Sequence, residues 1–194
     1  MFEERFGREF FRRFYGGRRR VASPRDYQGR AHLLAGYSAF LQLPVRRILE
    51  VGAGAGFFAR ALKTAFPRAH YLGTEVSAYA CQRYGWREAS VSSIQARPFD
   101  LVVCHDVVQY LARAEAVDAI ENLARLTRGL LFCTVLTRED WCERCDQART
   151  DGAVHLRSAA WYRRRLAVHF RRLGPGVYLS RTDSRVMFAL DDAD

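Results

Sequence analysis

The chain has 194 residues, of which 49% are hydrophobic, and a formal net charge of +10. This length and apolar content suit one globular domain with a sizeable core. No apolar run approaches the roughly 20 residues of a membrane-spanning helix, and the N-terminal residues lack the apolar region and cleavage site of a secretory signal. The odd count of five cysteines argues against a disulfide framework. We therefore expect a cytoplasmic protein without a membrane partner.

The positive charge comes almost entirely from arginine, because Lys63 is the only lysine. The arginines are spread along the chain, with local clusters at residues 18–20, 163–165 and 171–172. Both a solvated surface and a nucleic-acid contact fit this pattern. Cys142 and Cys145 form a single CxxC pair with only His155 nearby in sequence, so we expect no metal site.

The chain begins with helical patterns. Phenylalanines recur every four residues over residues 2–14, which predicts a short amphipathic helix before a Gly-Arg linker. Ser23 and Pro24 are typical of a helix start, and that helix should run to about Leu41 with Tyr27 on its apolar side. No strand-like run precedes Ile48. We therefore divide the chain into residues 1–44, a helical cap, and residues 45–194, a βα domain.

Residues 46–62 predict a strand, a glycine turn and a helix. A short apolar run ends at Val51, glycines follow at Gly52, Gly54 and Gly56, and a helical pattern continues to Pro67. Glycines let the backbone turn sharply and let a ligand approach closely. The following helix presents free N–H groups toward polar ligand atoms. This stretch is therefore a candidate nucleotide site.

The glycine spacing shows which kind of nucleotide-binding motif this stretch matches. The third glycine of a dinucleotide fingerprint would fall on Phe57, and no Gly-Lys-Ser/Thr of a phosphate loop is present. The remaining pattern, Glu50-x-Gly52-x-Gly54-x-Gly56, resembles motif I of the class I methyltransferases that use S-adenosylmethionine (SAM) and release S-adenosylhomocysteine (SAH). The resemblance implies SAM as cofactor, held in part by these four residues and Ala53.

The next two strands should complete the cofactor site. A strand over residues 70–74 ends at Glu75, 19 positions beyond Gly56; an acid so placed can accept both ribose hydroxyls. Val76 would pack on the adenine. A weaker strand over residues 86–91 lacks the aspartate that many relatives place near its end. Ser90 or Val91 would have to contact the adenine instead.

The second half of the chain predicts the rest of the sheet. A buried strand over residues 99–106 puts His105 and Asp106 at its carboxyl end, facing cofactor and substrate. We expect a helix over residues 115–126 stopped by Gly129, a buried strand over 130–136, and helices over 138–147 and 158–170. A hairpin should pair residues 177–180 with 186–190. The resemblance implies a three-layer Rossmann-like sandwich, with a seven-stranded, mostly parallel sheet ending in an antiparallel hairpin.

The methyl acceptor is constrained mainly by missing motifs. The chain has no Asp/Asn-Pro-Pro-Tyr/Phe after the fourth strand, no cysteine after a proline, and one lysine, which disfavours the common nucleic-acid chemistries of the resembled enzymes. What remains is O- or N-methylation of a small molecule or of a protein side chain, and we expect a small molecule. His155 is the candidate proton acceptor, with His105 and Asp106 as further catalytic candidates. The candidate substrate contacts are Tyr27, Arg157, Trp161 and Tyr162.

Two alternatives stay open at this stage. The arginine clusters could guide RNA to an RNA-directed methyltransferase, which steep salt dependence of RNA binding would reveal. The chain could also be a SAM-binding module without transfer activity. The sequence does not decide the oligomeric state.

Overall fold

A computed structural model describes residues 5–17 and 22–185. The elements, in chain order, are α1 (Arg8–Tyr15), α2 (Pro24–Phe40), β1 (Arg47–Val51), α3 (Phe57–Ala65), β2 (His70–Glu75), α4 (Ala78–Tyr84), β3 (Arg87–Glu88), β4 (Phe99–His105), a 3-10 turn (Val108–Tyr110), α5 (Arg113–Leu126), β5 (Thr127–Thr134), α6 (Arg138–Glu143), α7 (Ala159–His169), β6 (Phe170–Gly174) and β7 (Val177–Ser180).

The strands form one seven-stranded sheet in the order β3-β2-β1-β4-β5-β7-β6. Strands β1 to β5 pair in parallel, and β7 runs antiparallel to both β5 and β6. The strand order reverses direction at β1, between β2 and β4, which is where open α/β sheets bind ligands. The predicted Rossmann-like plan with a terminal hairpin is confirmed.

Helices cover both faces of the sheet. Alternate residues of a strand point to opposite faces, so Leu49 and Val102 pack with α5 and α7, whereas Ile48 and Leu101 pack with α2 and α3. All four side chains are almost completely buried. A third, smaller cluster joins Phe6 and Phe11 of the N-terminal segment to the glycine turn and to α4. Aromatic side chains of the N-terminal segment therefore cover the end of the sheet at which the glycine turn lies.

Helix α2 begins as its sequence predicts. The Ser23 hydroxyl accepts a hydrogen bond from the Asp26 backbone N–H, and the Asp26 carboxylate accepts one from the Ser23 backbone N–H. Reciprocal bonds of this kind satisfy two free donors of a helix start, and Pro24 occupies the first helical position. The same arrangement, with Thr137 and Asp140, begins α6.

Two predicted boundaries were wrong. Gly129 does not stop a helix: α5 ends at Leu126 and Gly129 lies within β5. A Cβ at Gly129 would lie 2.5 Å from the Asp100 carbonyl oxygen, so a glycine permits the close pairing of β4 and β5. The partner of β7 is β6, which directly follows α7 and begins at Phe170, the residue predicted to end that helix. The strand predicted over residues 186–190 lies outside the described residues.

No helix in the described part of the chain is long and apolar enough to cross a bilayer. Within residues 5–17 and 22–185, no three histidine, cysteine, aspartate or glutamate side chains are grouped so that they could hold a metal ion. Cys142 is exposed and Cys145 is half-buried.

Candidate functional site

The glycine turn connects β1 to α3 in a conformation that other residues rarely adopt. Gly52, Gly54 and Gly56 have φ values of +70°, +52° and +74°. A Cβ at Gly52 would lie 2.4 Å from the Cγ2 atom of Val107, so a larger residue there would clash as well as strain the backbone. The alternating glycines are therefore required because the backbone adopts positive φ values and because neighbouring side chains lie close to it.

The carboxylate of Glu75 lies beside this turn at the end of β2. It accepts hydrogen bonds from the backbone N–H groups of Gly54 at 3.0 Å, Val76 at 2.8 Å and Ser77 at 3.3 Å. The residue is buried but lines a cavity. An ionised carboxylate has about four lone-pair sites, so Glu75 retains capacity to accept hydrogen bonds from a ligand.

A first cavity of about 280 Å³ lies at the carboxyl ends of β1, β2 and β4. Its sheet-side lining comes from the glycine turn and from the residues that follow β2, β3 and β4: Gly52, Glu75, Val76, Ser90, Val91, His105 and Asp106. Six of these were predicted to bind the cofactor, and Asp106 was predicted to be catalytic. Ala53, Gly54 and Gly56 belong to the same turn but do not line the cavity.

Glu50, which begins the glycine motif, lies elsewhere. Its buried carboxyl group accepts a hydrogen bond from the Tyr71 hydroxyl at 2.6 Å and does not line the first cavity. Burial raises the pKa of Glu50 to about 8, although the Tyr71 hydrogen bond opposes this rise. The structure therefore gives Glu50 a place in the sheet interior, behind the glycine turn.

Aromatic side chains from the N-terminal segment cover the first cavity. They are Phe6, Phe10, Phe11 and Tyr15. The Tyr15 hydroxyl lies 3.2 Å from the position that a Cβ on Gly54 would take. Desolvation raises the pKa of Tyr15 well above its ordinary value, so the hydroxyl stays protonated and can donate a hydrogen bond. A ligand lying along the glycine turn would contact this ring.

A second cavity, of about 510 Å³, adjoins the first. It lies among α2, the carboxyl end of β4, the 3-10 turn and the segment after β5, and Tyr27, Arg30 and Gln109 contribute to it. Five residues line both cavities, namely Phe10, Tyr15, His105, Asp106 and Tyr110. The end of β4 thus forms a shared wall between two adjacent spaces.

His105 is the centre of a hydrogen-bond network on this wall. Its Nε2 atom is 3.2 Å from the Arg30 Nη1 atom, and its Nδ1 atom contacts the Thr134 hydroxyl. Because arginine only donates, Nε2 accepts and Nδ1 carries the ring proton. Burial lowers the pKa of His105, with a further lowering by Arg30 and an opposing contribution from Asp106. The imidazole is therefore neutral near pH 7.

Asp106 has a strained backbone at the shared wall. Its φ of +57° lies in the left-handed region that few non-glycine residues occupy. The Thr134 hydroxyl donates to its Oδ1 atom at 3.3 Å, and its Oδ2 atom is 3.5 Å from His105 Nε2. The side chain is 53% exposed. Such strain is concentrated at functional sites, and here it directs a carboxylate between the two cavities.

The residues predicted from the segment after β5 require a correction. His155 is exposed and lines neither cavity. Arg157 is buried and donates to the Leu111 carbonyl and to the Tyr162 hydroxyl. Trp161 and Tyr162 pack in the core between α7 and the sheet. None of these three side chains lines either cavity, because α7 packs on the sheet face, away from the edge where the cavities open. Tyr27, by contrast, does line the second cavity.

Several cavity residues were not predicted as site residues. Tyr15 and Tyr110 line both cavities, and Arg30 and Gln109 line the second one. The phenylalanine spacing over residues 2–14 predicted a helix face but not what it covers. Gln109 and Tyr110 follow the predicted strand end closely, which was the available signal.

Comparisons with known proteins agree with this geometry. Residues 49–129 match a family model described as a methyltransferase domain. The chain is 29% identical over 109 residues to a malonyl-[acyl-carrier protein] O-methyltransferase from Legionella pneumophila, and the match covers 50% of this chain. The chain spans only 38% of the length of that curated relative.

Two solved structures share the fold over most of the chain. The magnesium protoporphyrin IX methyltransferase from Synechocystis PCC 6803 with bound SAH has a TM-score of 0.61 and 20% identity, covering 92% of this chain and 96% of that one. The N-methyltransferase NodS from Bradyrhizobium japonicum WM9 has a TM-score of 0.54 and 18% identity, covering 79% and 96%.

The fold and the glycine turn thus define a Rossmann-like, class I methyltransferase domain. The methyltransferase-domain match over residues 49–129 and the fold shared with SAH-bound and SAM-bound structures support a class I SAM-dependent methyltransferase with SAM as its cofactor.

Proposed function

We propose that this chain transfers the methyl group of SAM to an oxygen or nitrogen atom of a small molecule. The observation that supports this function is the pair of adjacent cavities that share His105 and Asp106. One cavity has the glycine turn and the carboxylate of a SAM site, and the other has space for an acceptor. A methyl donor and an acceptor could then meet across the shared wall.

The residues of the first cavity fit SAM. Any side chain on Gly52 would fill the cradle beside Val107. The Glu75 carboxylate keeps about one of its four lone-pair sites free, on Oε2, for a ribose hydroxyl. In this proposal, Val76, Ser90 and Val91 surround the adenine, and Tyr15 covers the methionine portion along the glycine turn. Residues 1–44 then act as a cap over the domain formed by residues 45–194. When bound, SAM supplies an electrophilic methyl group on a sulfonium.

The chain's own residues would position the acceptor and exclude water. Aligning two reactants is the main contribution that a methyl transfer requires. Asp106 is the better candidate proton acceptor, because Arg30 already occupies the Nε2 lone pair of His105. In this proposal, the Thr134 hydroxyl orients the Asp106 carboxylate by donating to its Oδ1 atom, and the aromatic cover keeps the site dry.

Calorimetric titration with SAM tests the cofactor site. Glu75→Ala should weaken SAM binding by about 10- to 100-fold, since hydrogen bonds to a charged group contribute about 1.5–3 kcal/mol. Glu88→Ala is the matched control, because Glu88 pairs with Glu75 across the sheet but is exposed outside both cavities. Melting curves establish that both variants fold. Equal SAM affinity in Glu75→Ala and wild type would contradict the assignment.

A further inference from the structure

The second cavity contains a buried polar atom whose hydrogen bond is not satisfied. Gln109 is only 4% exposed and lines this cavity, and its Oε1 atom has no hydrogen-bond partner within the described part of the chain. The Gln109 main-chain oxygen is a separate group, already bonded to the His155 backbone N–H at 2.8 Å. Buried polar atoms almost always have partners. The missing partner of this carbonyl oxygen must carry an N–H or O–H group, which a ligand in the cavity can supply.

The charges around the cavity favour a positively charged ligand. Four aspartates line it, and among the residues that the structure describes, Arg30 is its only arginine or lysine. Three of the acids have other partners: Asp26 and Asp140 bond to helix-capping residues, and Asp151 pairs with Arg5 at 3.2 Å. Asp106 has only the long contacts with Thr134 and His105 and remains half-exposed. Its carboxylate is available to a cation.

The same features disfavour an acidic acceptor. A carboxylate placed beside the end of β4 would face both the Asp106 carboxylate and the Gln109 oxygen, which repel it. Arg30 offsets this repulsion only in part, because its Nη1 atom is directed at His105. A neutral hydroxyl has one O–H to donate, so it can satisfy Gln109 or Asp106 but not both. An amine satisfies both residues.

Aromatic rings form much of the remaining wall of the second cavity. The rings of Tyr27 and Phe57 are stacked with centroids 5.9 Å apart, and Phe14 and Tyr15 line the cavity from the N-terminal segment. Rings of this kind attract an ammonium group at their faces and bury an apolar body. The cavity thus combines apolar walls with an acidic, hydrogen-bond-accepting end next to the first cavity.

We propose that the second cavity binds an amine with an apolar or aromatic body, which donates an N–H to Gln109 Oε1 and faces Asp106. This inference rests on the proposed function and makes the reaction an N-methylation. The bound ammonium first loses one proton, to Asp106 and then to water. The amine lone pair forms the new N–C bond while the methyl–sulfur bond breaks. The electron pair of the broken methyl–sulfur bond stays on sulfur, giving SAH.

Binding of three matched probes tests the ligand class. The probes are 2-phenylethylamine, 2-phenylethanol and phenylacetate, titrated calorimetrically into the protein with and without SAH. We expect the amine to bind at least about tenfold more tightly than either analogue, a ratio that corresponds to one good polar contact. Equal or tighter binding of the alcohol or the acid would overturn the proposal. Mass-spectrometric detection of the N-methylated amine in the presence of SAM provides the catalytic readout.

Substitutions locate the effect at Gln109. Gln109→Leu removes the acceptor and should abolish the amine preference, whereas Gln109→Glu keeps an acceptor and should retain it. Gln82→Leu, at an exposed position of α4 outside both cavities, is the control and should match wild type. Retention of the preference in a folded Gln109→Leu protein would refute the role of Gln109. SAM titration of the same proteins separates this result from a failure of the proposed function, which would show as absent SAM binding in wild type.

Discussion

Substituting Glu50 by glutamine should stabilise the protein in a strongly pH-dependent way. Burial raises the pKa of Glu50 from 4.5 to about 8. Between these values the folded protein holds a proton that the unfolded chain has released, so wild-type stability falls as pH rises. The slope is about 1.4 kcal/mol per pH unit. Glutamine mimics the protonated form, accepts the Tyr71 hydroxyl hydrogen bond and does not titrate.

The magnitude follows from the width of this window. Near pH 4.5 the two proteins should have nearly equal free energies of unfolding, and at pH 7 the Glu50→Gln variant should be more stable by about 3 kcal/mol. Urea unfolding at several pH values between 4.5 and 8 measures the difference. Glu121→Gln, at an exposed position of α5, is the control and should show little effect. A constant difference between Glu50→Gln and wild type across this range, or a less stable variant at pH 7, would refute the reasoning.

Two further predictions concern the glycine turn and the corrected catalytic residue. Gly52→Ala should destabilise the fold by more than Gly85→Ala. Gly52 and Gly85 have similar φ values, +70° and +75°, but only an alanine at position 52 would also clash with Val107. We expect a loss of about 1 kcal/mol at Gly85 from backbone strain and about 1–3 kcal/mol more at Gly52 from overpacking. Thermal unfolding measures both, and equal losses would contradict the clash. His155→Ala should leave the rate of methyl transfer to the probe amine within about twofold of wild type, since the side chain is exposed and outside both cavities. A loss of about 10²-fold or more would instead indicate that His155 is the general base.

The cofactor side of the site was largely predictable because its signals are local. The glycine spacing at Gly52, Gly54 and Gly56 follows from the positive φ values that the turn requires. Glu75 was found because the carboxyl end of β2 lies next to that of β1 in a parallel sheet. The placement of Glu50 was not predictable, since its motif position does not reveal that Tyr71, 21 residues away, binds its carboxyl group.

The lining of the second cavity was predicted poorly because it depends on contacts between distant segments. His155 was chosen for its chemistry and its position after β5, but the chain turns its side chain to solvent. Arg30 contacts His105 across a separation of 75 residues, and no local pattern encodes that contact. The same is true of Tyr15, which reaches Gly54 from α1. These residues meet only after the sheet has formed and the N-terminal helices have packed against its edge.

The sequence by itself determined the class of fold, because alternating apolar strands, helix starts and glycine turns are written in short stretches whose backbone preferences act locally. It also determined the carboxylate and glycines beside the first cavity. Only the tertiary structure decided which strand pairs with β7, where the aromatic cover lies, and that Gln109 and Asp106 face one space. Those outcomes depend on which buried surfaces fit together, and burial is a property of the whole chain rather than of any one segment.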